Sequence, residues 1–148
     1  MSEELDISQF EKRMILRQMT VDDIETILSI QALCFPGMDP WQRAHLKSHI
    51  SIFPEGQIVA ELDGEIVGSC SSLRINFDEY DDRHTWSDVT ANGFITNHDT
   101  EGYNLYGIEV MVHPKFRRMK VGQRLYEARK DLAPPHQSKS QVPPPNLP

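Results

Sequence analysis

Seven cations fall between residues 115 and 130: Lys115, Arg117, Arg118, Lys120, Arg124, Arg129 and Lys130. Glu127 is the single acid among them, so the segment carries +6 in a chain whose net charge is −7, and the remainder carries −13. A compact basic patch on an acidic protein suits a small, highly charged anion held at one place, and it argues against general nucleic-acid binding. Behind the patch, Val121, Leu125, Ala128 and Leu132 recur at i, i+4, i+7 and i+11, one face of a helix. The start of such a helix offers unsatisfied amides and the positive end of its dipole, where a diphosphate settles. Gly122 would let the backbone approach phosphates without a β-carbon in the way. Arg124, Arg129 and Lys130 are read instead as the solvated face of the same helix. Ahead of the patch, Leu105–Val112 is a nearly continuous apolar run whose one acid is Glu109.

The other reactive side chains are less organised. His45 and His49 stand at i, i+4 but lack a third ligand or an intervening HExxH glutamate, so no metal site is expected. Cys34 and Cys70 sit in apolar surroundings without a CxxC, which suggests free thiols in a reducing cytoplasm. Asp78, Glu79, Asp81 and Asp82 either attract a cationic substrate or form a solvated acidic loop. No apolar run is long enough to span a bilayer, and the acidic start Met1–Asp6 lacks the order of a signal peptide. With 148 residues, 39% hydrophobic and 25% charged, the chain has the composition of one folded domain.

The elements that must position these groups follow from punctuation and period. A polar arm covers residues 1–13, and Met14–Arg17 suits a first strand. Thr20 and Asp23 form a capping-box-like start for a helix that Pro36-Gly37 ends. Pro40-Trp41 opens a second helix with Leu46 and Ile50 on its buried side. The segments 57–62 and 65–70, joined by Asp63-Gly64, predict a β-hairpin whose second strand runs on to about Leu73 or Ile75. Residues 76–103 are long, polar and aromatic, which predicts an ordered insertion beside a binding site. Leu105–Val112 predicts a central strand, stopped by His113-Pro114. The proline-rich residues 133–148 suit polyproline II or disorder. The order β-α-α-β-β-loop-β-α gives an α/β layered domain.

The strand Ile108–Val112, the step His113-Pro114 and the loop Arg117-Arg-Met-Lys120-Val-Gly122 at the mouth of a helix resemble the GNAT acetyltransferase superfamily. Lys120 stands where that family usually has its first glycine. The resemblance covers residues 14–132. Tyr106-Gly-Ile-Glu-Val-Met-Val-His-Pro114 and Phe116-Arg-Arg-Met-Lys120 are similar to the subgroup joined to a C-terminal carbon–nitrogen hydrolase (nitrilase-like) domain.

The resemblance implies a GNAT-like mixed sheet with flanking helices and acetyl transfer from acetyl-CoA to a small-molecule or peptide amine. It implies that the backbone of Val110, Met111 and Val112 pairs with the pantetheine arm. The loop Arg117, Arg118, Met119, Lys120, Val121, Gly122 and Gln123 would hold the pyrophosphate. Glu109 is the first candidate for the base, with a structural carboxylate facing an arginine or solvent as the other reading; Tyr106 and His113 are weaker candidates. A complete domain of this kind continues with a fifth strand, whose place the proline-rich segment takes. The expectation is therefore a fold incomplete at its C-terminus: a truncated, weakly active or inactive copy, open to self-association through an exposed strand edge. The alternative is a non-catalytic fragment of a larger acetyltransferase/carbon–nitrogen hydrolase protein that binds CoA or a partner.

Overall fold

Asp63 and Gly64 adopt φ of +51° and +87°, the left-handed conformations of a tight hairpin turn. They join β2 (Ile58–Leu62) to β3 (Glu65–Ile75). The computed structural model describes residues 13–37, 41–80, 83 and 85–132. The expected polar arm (apart from Arg13), Pro40, Asp81, Asp82 and the proline-rich tail lie outside the described residues. The first strand, β1 (Met14–Gln18), pairs with β2, and β4 (Asn104–Val112) pairs with β3. The described sheet runs β1-β2-β3-β4, each neighbour antiparallel. The α/β architecture expected of the sequence is present, with β4 at an edge among the described strands rather than in the centre.

Helices cover both faces. Thr20 N–H donates to Asp23 Oδ2 at 2.8 Å, and Arg17 grips both carboxylate oxygens of Asp23 at 2.8 and 2.9 Å. This fork, with the Thr20 bond, holds the Asp23 carboxyl below its usual range. It fixes the entry into α1 (Ile24–Cys34). On that face Ile24, Ile27 and Ile30 pack with Leu46 of α2 (Arg43–Ile52) against Val59, Leu73, Ile75, Tyr106 and Met111. On the other face Val121 and Leu125 of α4 (Val121–Lys130) cover Ala60, Val67 and Cys70. Each buried Val or Leu contributes roughly 1.5–3 kcal/mol, so α4 is held by a few large side chains and not by helix propensity.

Within the 76–103 insertion the described residues form a short capped helix and a set of tight turns. Thr85 caps α3 (Trp86–Thr90) by accepting from Asp88 N–H at 3.0 Å, and Val89 and Ile95 are fully buried. Asn97 donates to Val89 O at 2.6 Å, while Phe77 N–H donates to Asn104 Oδ1 at 2.8 Å. Polar side chains thus satisfy backbone that has no strand partner.

Candidate functional site

Two consecutive residues of β4 face the same way. Ser71 stands opposite Glu109 and Ser72 opposite Gly107, so Ile108 is an extra residue, a β-bulge. Tyr106 and Ile108 pack with α1 and α2 before the step, Met111 does so after it, and Val110 and Val112 turn towards α4. The bulge brings Glu109 onto the α1/α2 face, where Trp41 Nε1 donates a hydrogen bond to its Oε2. Among the described residues Glu109 meets neither an arginine nor a lysine in an ion pair. Burial, only partly offset by the Trp41 bond, pushes its carboxyl up to about 7. A carboxylate so poised can accept a proton near neutral pH.

Further along β4, His113 N–H donates to Val67 O at 2.8 Å. By strand alternation, Met111 and Glu109 bond towards β3, and Val110 and Val112 turn their amides and carbonyls to the edge that no described strand covers. The Val112 carbonyl accepts from Cys34 Sγ at 3.1 Å. Beyond it lies a cleft of about 390 Å³ lined by Val112, Phe116, Arg117, Arg118, Lys120, Val121, Gly122 and Gln123. Of the residues implicated by the sequence, Val110 and Met119 lie against the α4-side core, and Met111 is buried in the other. The rest, apart from Glu109, share the cleft.

Local conformation explains the loop. Arg118 and Lys120 take φ of +70° and +64°, and Lys120 is the residue before the first turn of α4. Left-handed backbone at a residue with a β-carbon costs roughly 1–2 kcal/mol, a cost that glycine at this place would not carry. Lys120→Gly is expected to stabilise the protein by about 1 kcal/mol, raising Tm by about 3 °C. Thermal unfolding would check this, and a lowered Tm would refute it. A β-carbon at Gly122 would make only an ordinary contact, with Val112 Cγ2 at 3.6 Å.

Arg129 does not belong to the solvated face. It is 2% exposed and lies beneath Gly107, where an added β-carbon would come within 2.7 Å of its Cζ. It stands four residues after Leu125, on the stripe that faces the sheet, and the missing side chain at Gly107 makes its room. Burial lowers its pKa from the ordinary arginine value. Lys130 is exposed and Arg124 half-buried, as a helix rim allows.

Tyr106 is fully buried, and burial pushes its hydroxyl up to about 12. His113 caps its own loop, Nδ1 accepting from Lys115 N–H at 3.1 Å. His49, also fully buried, donates through Nε2 to Gly93 O at 2.6 Å, and desolvation pulls it down to about 4, so it is neutral. Among the described residues no group of three metal-ligating side chains is gathered. Cys34 and Cys70 are free, Cys70 buried with its thiol raised to about 11. Among the same residues no helix is long and apolar enough to cross a membrane. Sequence reasoning missed Trp41 as a partner of Glu109, because no local pattern links positions so far apart in the chain.

The family model for acetyltransferases (GNAT) matches residues 24–147. The chain is 66% identical over 133 residues to the probable hydrolase YhcX of Bacillus subtilis (strain 168), a match that spans 90% of this chain and 26% of YhcX. It is 37% identical over 121 residues to the uncharacterized N-acetyltransferase YkwB of the same organism, spanning 79% of this chain and 54% of YkwB. The chain thus spans about a quarter and about half of the length of these two relatives. Its fold is similar to the loading GNATL domain of CurA from Lyngbya majuscula, with TM-score 0.69, 24% identity, and 80% and 57% of the two chains covered. The GphF GNAT-like decarboxylase in complex with isobutyryl-CoA matches equally well, with TM-score 0.69 and 24% identity over 79% of this chain and 57% of GphF.

Proposed function

The chain belongs to the acetyltransferase (GNAT) family, and on that footing we propose that it transfers an acetyl group from acetyl-CoA to an amine of a small molecule or peptide. One juxtaposition carries the reading. The basic cleft at the start of α4 is lined by Val112, and three residues back along the same strand stands Glu109 with its raised carboxyl.

Acetyl-CoA, when bound, supplies an activated acyl carbonyl. The side chains of Arg117, Arg118 and Lys120, with the amides of Met119, Val121, Gly122 and Gln123, hold its pyrophosphate. The open edge at Val110, Met111 and Val112 holds the extended arm through the outward groups of Val110 and Val112. Glu109 would take the proton of the incoming ammonium, directly or through a water, which frees the amine to attack the thioester carbonyl; the C–N bond forms, the C–S bond breaks and CoA leaves as the thiol. Its position near pH 7 suits that task. The reading places the reaction in the cytoplasm, and the two free thiols accord with that. Nucleic acid is not a partner on this reading, because the chain outside the basic segment is strongly acidic. Self-association through the β4 edge would use the same outward groups as the arm, so on this reading the two compete. The 66% identity to YhcX supports placing the segment in the subgroup joined to a carbon–nitrogen hydrolase.

Calorimetric titration with acetyl-CoA, followed by thiol release with a panel of amines, tests the reading. Binding should weaken with salt, and the Arg117→Ala, Arg118→Ala double variant should bind about tenfold more weakly. The isobutyryl-CoA bound by GphF makes a branched acyl donor the natural second arm. Binding without turnover would favour a non-catalytic CoA-binding segment, and absence of binding would sink the reading.

A further inference from the structure

Three segments converge on one side chain. The backbone N–H of Trp41 donates to Oε1 of Gln31, a buried residue of α1, at 2.8 Å. The ring meets the edge of His49 of α2 at 4.9 Å and 89°, and it lies 5.4 Å from Trp86 of α3. The insertion closes on it through Gly93, whose φ is +87° and where a β-carbon would come within 2.6 Å of Trp41 Cζ3. His49 bonds the Gly93 carbonyl, so ring and turn are held by the same histidine. An indole wedged on all these sides has one polar atom, and that atom is aimed at Glu109. Packing alone would be served by phenylalanine.

We propose that Trp41 is the positioning residue for Glu109, its indole N–H holding Oε2 so that Oε1 is the oxygen left to take the proton. The inference rests on the reading of Glu109 as the base, and its test separates the two. An N–H donated to a carboxylate favours the ionised form, so Trp41 opposes the desolvation of Glu109. The titratable neighbours are few. Burial lowers the pKa of both His45 and His49 of α2, Cys34 of α1 bonds the Val112 carbonyl, β3 brings Ser71 opposite, and the insertion brings Trp86.

The test follows the indole N–H of Trp41 and the side-chain carboxyl of Glu109 by NMR across pH in the full chain. The Trp41 resonance is expected to titrate with the midpoint of Glu109 and to stop titrating in Glu109→Gln. Trp41→Phe should raise the Glu109 midpoint by about one pH unit. It should lower kcat/KM at pH 7 by about fivefold, with recovery at higher pH and an unchanged KM for acetyl-CoA. An indole that ignores the Glu109 titration in the unmodified protein, or an unmoved midpoint in Trp41→Phe, overturns the proposal. The first measurement stands even where Trp41→Phe does not fold. Normal turnover in Glu109→Gln would remove the base, and with it any part of Trp41 in turnover, while the titrations still decide whether the indole sets the carboxyl.

Discussion

Glu109→Gln is expected to lower turnover by about two orders of magnitude or more and, at pH 8, to make the protein more stable. The first effect follows from removing the proton acceptor. The second follows from linkage. The folded carboxyl sits near 7, above the ordinary value of 4.5, so between those limits the folded state binds more protons than the unfolded one. The stability associated with Glu109 is fully present below about pH 4.5 and is lost as pH rises through about 7. At pH 8 the ionised, desolvated carboxylate costs about 3 kcal/mol, and glutamine removes that cost while keeping an oxygen for Trp41. His49 titrates with the opposite sign. Its folded value is near 4, below the ordinary 6.5, so its contribution grows as pH climbs between the two. Because His49 is common to both proteins, the difference between variant and parent isolates Glu109. Urea denaturation at pH 5 and pH 8 measures it. A difference that stays constant with pH would mean that Glu109 is not buried as an acid.

Gly68→Ala is the second large effect, and it reaches the cleft through packing. A β-carbon at Gly68 would stand 2.7 Å from the Met111 carbonyl oxygen, 3.0 Å from Val121 Cγ1 and 3.2 Å from Leu125 Cδ1. The carbonyl belongs to the sheet and cannot rotate away, so the β3–β4 pairing must give there, and the contacts with Val121 and Leu125 also press on the start of α4. Overpacking of this kind costs about 1–3 kcal/mol. The same displacement moves the amides of Val121, Gly122 and Gln123, and affinity for acetyl-CoA should fall at least about tenfold, since ångström-scale misplacement is costly. Chemical denaturation and calorimetry on one preparation separate the two consequences. Lost stability with unchanged affinity would show that the seat of α4 does not govern anion binding.

Local signals in the sequence were those that the chain resolves locally. Asp63-Gly64 demands a tight turn wherever it occurs between strands, and Thr20 with Asp23 marks a helix start by chemistry confined to four residues. The cleft was legible for the same reason: strand, basic loop, Gly122 and helix are consecutive, so their order along the chain is their arrangement in space. Trp41 was not legible, because its meaning depends on Glu109, Gln31, His49 and Gly93, which only the folded sheet assembles. Arg129 misled because its charge suggested solvent, while its position four residues after Leu125 already placed it on the inward stripe. The vacancy at Gly107 that admits it is a tertiary fact. The aromatics of the 76–103 insertion suggested order, and among its described residues Ala91, Asn92, Gly93 and Ile95 turn at positive φ; Asn92-Gly93 is a local turn signal, whereas nothing local marks Ala91 or Ile95.

The extra residue at Ile108 also divides the open edge of β4 into two stretches of different phase. From Val110 onward, alternate amides and carbonyls point outward at the even spacing that an extended partner requires. At Ile108 that spacing breaks. A flexible arm laid along this edge can therefore stay in step only on the far side of Glu109, and it can slide no further without giving up its hydrogen bonds. On the proposed reading, the bulge would set a length as well as a direction, ending the paired portion of such an arm at the residue whose carboxyl is poised near neutrality.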